Sequence, residues 1–300
     1  MSVIVATLFV GCESDTPRPT PATAAKPTVY VVNYPLQYFC ERIAGESIDV
    51  RFPAPSDVDP AFWKPTGDEI AAFQSADLIL LNGADYAKWV RAASLPSSKT
   101  VNTLARPLES FIETEGTVKH KHGPRGEHDH GGTAFTTWLA FQQAEQQASA
   151  VKDALTRLLP EQSATFLENL ASLRTDLTEL DADMQSLARR IGDQPLTASH
   201  PVYQYLARRY ALDIRAVHWE PDVVPAQSDV EDLNRLLAGH PAKWMVWEGR
   251  PDPKSVELLR ELGVRSVVFD PAGNVPDQGD WLDVMRQNVA NLEAVVADER

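Results

Sequence analysis

The chain has 300 residues, 43% hydrophobic and 23% charged, with 28 Lys and Arg against 42 Asp and Glu for a net charge of −14. That composition is globular and long enough for two lobes with separate cores, while the acidic balance argues against a nucleic-acid partner, which needs a basic face. No apolar run approaches the roughly 18 residues of a membrane-spanning helix, and two cysteines cannot build a disulfide framework.

Residues 3–10 form a short apolar run that ends in Gly11-Cys12. A small residue before a cysteine resembles the end of a bacterial lipoprotein signal, with Cys12 as the lipidated residue. An ordinary buried strand is the alternative. The stretch that follows is rich in proline and threonine and reads as an extended tether, so residues 1–26 form a signal-and-tether unit. A lipid anchor of this kind would hold the folded body on the periplasmic or outer side of a bacterial membrane. Cys40, among apolar residues, is then expected to be single and buried.

From residue 28 the pattern is α/β. Thr28–Asn33 is a β-branched strand, 36–44 a helix closed by Gly45, 48–52 a second strand, 68–75 a helix, and 76–81 an apolar strand. Strands alternating with helices predict a parallel sheet covered on both faces. Residues 116–132 interrupt this N-terminal lobe (27–157) as a Gly- and His-rich loop. A helical block follows from about 137 to 191, its second part starting at Pro160. Phe166, Leu170, Leu173, Leu177, Leu180, Met184, Leu187 and Ile191 fall at alternating spacings of four and three, one narrow stripe. A coiled coil would give the same stripe. A single helix over 158–191 linking two lobes is preferred, because α/β units resume at once. The C-terminal lobe (192–300) reads as helix 203–210, strand 243–247, helix 253–262, strand 264–269 and a last helix 281–296.

Five segments carry a family resemblance: VVNYPLQYFCERIAGESIDV (31–50), DVDPAFWKPTGDEIAAFQSADLILLNG (57–83), TTWLA (136–140), ASHPVYQYLARRYAL (198–212) and VVFDPAGNVPDQGDWLDVMRQNVANL (267–292). With the His-rich loop between them in order, they resemble the solute-binding proteins of zinc and manganese ABC importers, the ZnuA/TroA-like family. The resemblance implies two Rossmann-like lobes joined by one long backbone helix. It also implies a monomer that holds one divalent cation, Zn2+ or Mn2+, between the lobes and passes it to a membrane permease. Members commonly use three imidazoles and a carboxylate, nitrogen and oxygen donors that suit either metal. Here the first position, after Asp59-Pro60, is Ala61, and the second, two residues before Trp138, is Thr136. His200 and Asp270 fill the third and fourth.

Two ligands leave most of a coordination sphere to water, so three completions are open. The loop histidines His120, His122, His128 and His130 form a chelating segment of their own and lie close before Thr136. Carboxylates can join, with Glu248 at the end of a strand as the first candidate and Glu220 and Asp59 behind it. The ligand can also be larger than a bare ion, with Trp63, Lys64, Thr136, Trp138 and Trp247 lining the cleft. His218 and His240 show no partner spacing. An alternative of another class is a binding or scaffold protein that kept the fold and lost the ion site. An enzyme is disfavoured, since no nucleophile elbow, phosphate-cradling glycine loop or HExxH pattern occurs.

Overall fold

Short apolar runs flanked by helix caps build each lobe around one small parallel sheet. The computed structural model describes residues 25–105, 110–114, 119–121, 127–129 and 132–297. In the N-terminal lobe, β1 (Thr28–Val31) leads into α1 (Tyr34–Ala44), followed by β2 (Asp49–Arg51), α2 (Gly67–Ser75), β3 (Leu78–Leu81) and β4 (Thr100–Asn102). The Asn33 side chain caps α1 by accepting the Leu36 amide at 3.2 Å, with Pro35 in the first turn. Thr66 and Glu69 close α2 with a reciprocal capping box. The sheet runs β2-β1-β3-β4, every neighbour parallel.

Two short antiparallel ladders follow: β5 (Glu113–Thr114) with β8 (Gly132–Thr133), and within them β6 (Lys119–Lys121) with β7 (Glu127–Asp129). The expected irregular loop thus contains a narrow ribbon whose backbone register sets His120 opposite His128. Such a pair needs only main-chain hydrogen bonds, so no apolar alternation announces it. His122, His130, Cys12 and most of the tether lie outside the described residues.

Next come α3 (Phe141–Leu158) and α4 (Ser163–Ile191). Pro160 opens a short 3₁₀ turn rather than α4 itself, which begins three residues later. All eight residues of the predicted stripe are buried along this 29-residue helix, about 43 Å long at 1.5 Å per residue. The stripe packs inside one chain, against α1, α3 and α8 (Trp281–Ala297), and not in a coiled coil. Polar residues beside it tie the flanks: Asp176 meets Arg42 of α1 at 2.7 Å and Arg286 of α8 at 3.3 Å.

The C-terminal lobe contains β9 (Leu196–Ala198), α5 (Gln204–Tyr210), β10 (Ile214–Ala216), α6 (Gln227–Gly239), β11 (Trp244–Trp247), α7 (Pro253–Glu261) and β12 (Arg265–Val268), then α8. Its sheet, β10-β9-β11-β12, is again all parallel and repeats the strand order of the first lobe. Strands β4, β9 and β10, three residues each, are not anticipated from the sequence, whereas the equally short β2 is, as part of 48–52. Helix α6 is missed as well, since only Leu233 of its thirteen residues is buried.

In the first lobe the chain leaves β1 and β3 through buried amides. Asn33 Nδ2 donates to Asn82 Oδ1 at 3.0 Å, Gln147 Nε2 donates to the same oxygen at 2.9 Å, and Asn82 Nδ2 donates to the Phe135 carbonyl at 3.0 Å. Cys40 is buried and unpaired with any other cysteine, as expected. Among the described residues no helix is long and apolar enough to cross a membrane.

The lobes are stitched together. The Tyr34 amide donates to the Gly273 carbonyl at 3.0 Å, and Asn274 Nδ2 donates to the carbonyls of Pro55 and Val58 at 2.7 and 2.9 Å. Tyr205 Oη donates to the Ala134 carbonyl at 3.0 Å. Trp138, 1% exposed, donates Nε1–H to the Pro271 carbonyl at 2.7 Å and sets its ring edge-on against Tyr86. One apolar cluster contains residues of both lobes and of α4. Trp138→Ala should therefore cost about 3–5 kcal/mol of stability, the range for a large aromatic removed from a core. Urea unfolding followed by fluorescence and far-UV dichroism checks this, and the two probes should report one shared transition.

Candidate functional site

Three strand ends converge on one spot. Leu196-Thr197-Ala198 is fully buried, and the chain leaves β9 as Ser199-His200-Pro201. Its neighbour β11, Trp-Met-Val-Trp, is buried throughout and ends at Glu248. Parallel register pairs Met245 with Thr197 and Val246 with Ala198, and the Ser199 amide extends it by donating to the Val246 carbonyl at 2.9 Å. On the other side Ala216 of β10 pairs with Ala198, and the Trp219 amide donates to the Ser199 carbonyl at 2.7 Å. His200, Glu248 and Glu220 thus emerge side by side at the carboxyl edge, where the strand order reverses. That is the usual ligand position in open α/β sheets.

The geometry is tight. His200 Nδ1 lies 3.0 Å from Glu248 Oε1, and Nε2 lies 3.9 Å from Glu220 Oε1. One ligating atom from each of the three residues falls within 4.8 Å of the others. The His200 side chain is only 8% exposed, whereas Glu248 and Glu220 retain 21% and 28%. Burial alone would lower the imidazole pKa. The charges of Glu248, Glu220 and Asp59, with the Glu248 hydrogen bond, reverse that and hold it up at about 9. The ring of His218 stands edge-on to His200 with centroids 5.8 Å apart.

From the facing lobe comes Asp59, in the loop after β2. Its Oδ1 accepts the Ala61 amide at 2.8 Å. Enclosing cleft walls raise its carboxyl above the usual range, and Glu248 and Glu220 add to this, while the Ala61 amide and His200 oppose it. Asp59 stays in contact with water, exposed at the cleft mouth.

The other sequence candidates are placed differently. Asp270 stands outside the tight cluster: its Oδ1 accepts the Ala272 amide at 2.7 Å, and Asn288 brackets its backbone. Burial raises its carboxyl, the Ala272 amide opposes this, and the charges of Glu248 and Asp277 raise it further. Thr136 is buried and donates its hydroxyl to the Val202 carbonyl. Ala61 is fully buried and brings no donor side chain. Trp63 packs on Trp89 and Phe73 in the core, Trp247 packs on Trp219 in a satellite core, and Trp138 is the interlobe tie. Of this proposed lining only Lys64 is solvent-exposed. His240 is a core residue, its Nε2 2.8 Å from the Leu196 carbonyl oxygen.

His218 is the residue sequence reasoning set aside and the structure brings in. The available signal was period two: in an extended chain leaving β10, residues 218 and 220 share a side. That signal is visible only once β10 is known to be a strand.

Comparison with known proteins places this geometry in context. A family model described as the periplasmic zinc-uptake complex component A matches residues 29–295. The high-affinity zinc uptake system protein ZnuA of Bacillus subtilis is 24% identical over 276 residues, covering 87% of this chain and 84% of that protein. The zinc-binding lipoprotein AdcA of Streptococcus pneumoniae is 22% identical over 282 residues. That match covers 89% of this chain, which spans only 55% of AdcA. Among solved structures, the metal-dependent lipoprotein YcdH from Bacillus subtilis superposes with a TM-score of 0.75 at 22% identity, covering 90% of this chain and 99% of its own. The Zn(II)-bound ZnuA-like domain of Streptococcus pneumoniae AdcA gives 0.76 at 18%, with 91% and 99% covered. At those identities the structures share the fold.

The raised imidazole makes stability depend on pH in a definite direction. An unfolded histidine titrates near 6.5 and folded His200 at about 9. Its pairing therefore contributes fully below about pH 6.5 and is lost as pH rises through 9. In chelator-treated protein the urea midpoint should fall between pH 6.5 and 9, and His200→Gln should flatten that fall.

Proposed function

We propose that this chain, which belongs to the periplasmic zinc-uptake component A family, is the extracytoplasmic solute-binding component of an ABC importer. It captures a divalent metal ion, zinc first and manganese as the alternative, in the crevice between its lobes and delivers it to a membrane permease. The observation that carries the reading is the convergence of His200, Glu220 and Glu248 within 4.8 Å at the strand ends. A carboxylate pair offsets the double positive charge, and a neutral imidazole is a common zinc ligand. His200, Asp270 and Glu248 are the proposed ligands from the sequence, and Glu220 joins them. The reading assigns capture and delivery, not catalysis. A lipid on Cys12 and the tether over 1–26 would keep a monomeric body beside its permease, and several relatives are named as lipoproteins.

One observation favours a second reading, a scaffold in which only the His-rich segment chelates. Ala61 and the hydrogen-bonded Thr136 leave two family ligand positions without free donors.

Zinc calorimetry on the metal-free chain separates the two. His200→Ala should weaken the tightest site by more than about 100-fold, beyond the 10–100-fold typical of residues that only support a ligand. Deleting residues 116–132 should remove additional, weaker binding and leave the tight site intact. Loss of all zinc binding on that deletion would sink the importer reading in favour of the scaffold.

A further inference from the structure

Left-handed backbone outside glycine is uncommon and strained, and it gathers at ligand clamps and switch regions. Among the described residues four non-glycine positions adopt it: Ala84 with φ 49°, Asp85 with 56°, Ala211 with 53° and Ala272 with 49°. Ala211 caps the end of α5, an ordinary place for it. The other three fall in two turns, one after β3 and one after β12, and these turns meet across the lobes. Tyr86, 3% exposed, follows the first, and Gly273 follows the second. A Cβ on Gly273 would lie 3.3 Å from Tyr86 Oη and 3.5 Å from Trp138 Cζ2, so the seam leaves little room there. An aspartate holds each turn. Asp85 accepts from Lys88 Nζ at 3.1 Å and from Arg91 Nε at 2.7 Å, while the Tyr86 amide donates to the Gly83 carbonyl at 3.1 Å. Asp270 accepts the Ala272 amide at 2.7 Å. The Lys88 amide also donates to the Ala61 carbonyl at 3.3 Å, which ties the first turn to the loop of Asp59 at the crevice.

We propose that the two facing turns form a latch between the lobes, that Asp85 is the positioning residue keeping Tyr86 pressed on Gly273, and that this latch sets how fast a captured ion enters and leaves the crevice. The inference rests on the capture reading above and concerns access, not the choice of ion or its donors. Strain on both sides of the seam means that losing either anchor lets a turn relax away from its partner. Asp270 borders the crevice and anchors one turn, so capture bears on the seam from that side. Asp85, with its side chain 25% exposed, bears on it from the other side, and its partners Lys88 and Arg91 are not among the proposed ligands. Between them the Tyr86 ring packs edge-on against Phe135 and Trp138, so a shift of the turn moves the ring out of the seam.

The test follows zinc by stopped flow, binding to the tightest site of the metal-free full chain and leaving the loaded chain for an excess of chelator. Asp85→Ala removes the anchor and places alanine at a left-handed position. Both rates should then rise about tenfold, the order expected when a strained residue loses its support, with equilibrium affinity kept within about threefold. Gly273→Ala crowds Tyr86 from the opposite lobe and should quicken both rates in the same way. The double variant should gain less than the product of the two, because changes acting through one contact are not additive. In the metal-free chain, hydrogen exchange at the Tyr86 and Lys88 amides should rise about tenfold in Asp85→Ala. Unchanged release or exchange, release quickened wholly at the expense of affinity, or a strictly multiplicative double variant would overturn the proposal. Failure of the unsubstituted chain to bind zinc would overturn the capture reading with it, whereas normal binding with unaltered rates in Asp85→Ala overturns only the latch.

Discussion

Everything at the crevice depends on the parallel register of β9 with its two neighbours. Side chains that follow adjacent parallel strands leave the sheet at the same edge, so three residues separated by 20 and 28 positions in sequence become a cluster a few ångströms wide. Strands β9 and β11 are buried on both faces, so close packing in the core holds their register. The core therefore holds the polar cluster in place: Trp247, fully buried against Trp219, fixes where Glu248 begins. The charges of Glu248, Glu220 and Asp59 around the imidazole favour its protonated form.

The two lobes use one topology for different ends. Both sheets follow the same strand order, and in both the chain turns away from the central strands at their carboxyl edge. In the first lobe that edge is filled by neutral amides, Asn33, Asn82 and Gln147, which donate to one another and to neighbouring carbonyls. In the second it carries ionisable groups. A repeated fold thus contributes one rigid wall and one chemically active wall.

The fold was largely legible in the sequence, because its signals are local and long. The eight-residue stripe identified α4 without ambiguity of face, and apolar runs marked β1, β3, β11 and β12. The short strands β4, β9 and β10 were not legible, nor was α6, in which only Leu233 is buried. The candidate site was half legible. His200 and Glu248 stand at the ends of recognisable segments, while Glu220 ranked low and His218 was set aside because β10 itself went unread. Asp270, the carboxylate the family pattern points to, lies outside the three-residue cluster, and its Oδ1 accepts the Ala272 amide. The aromatic residues offered as cleft lining are apolar bulk, and burial claims such residues before any ligand does.

The stitching between the lobes bears on how a captured ion could leave. Main-chain and side-chain bonds at Tyr34, Trp138, Tyr205 and Asn274 bind the two walls together, and α4 braces them from behind. Swinging the jaws apart would break all of these at once. The segment that bears Glu220 instead carries the exposed Val223 and Val224 at its tip.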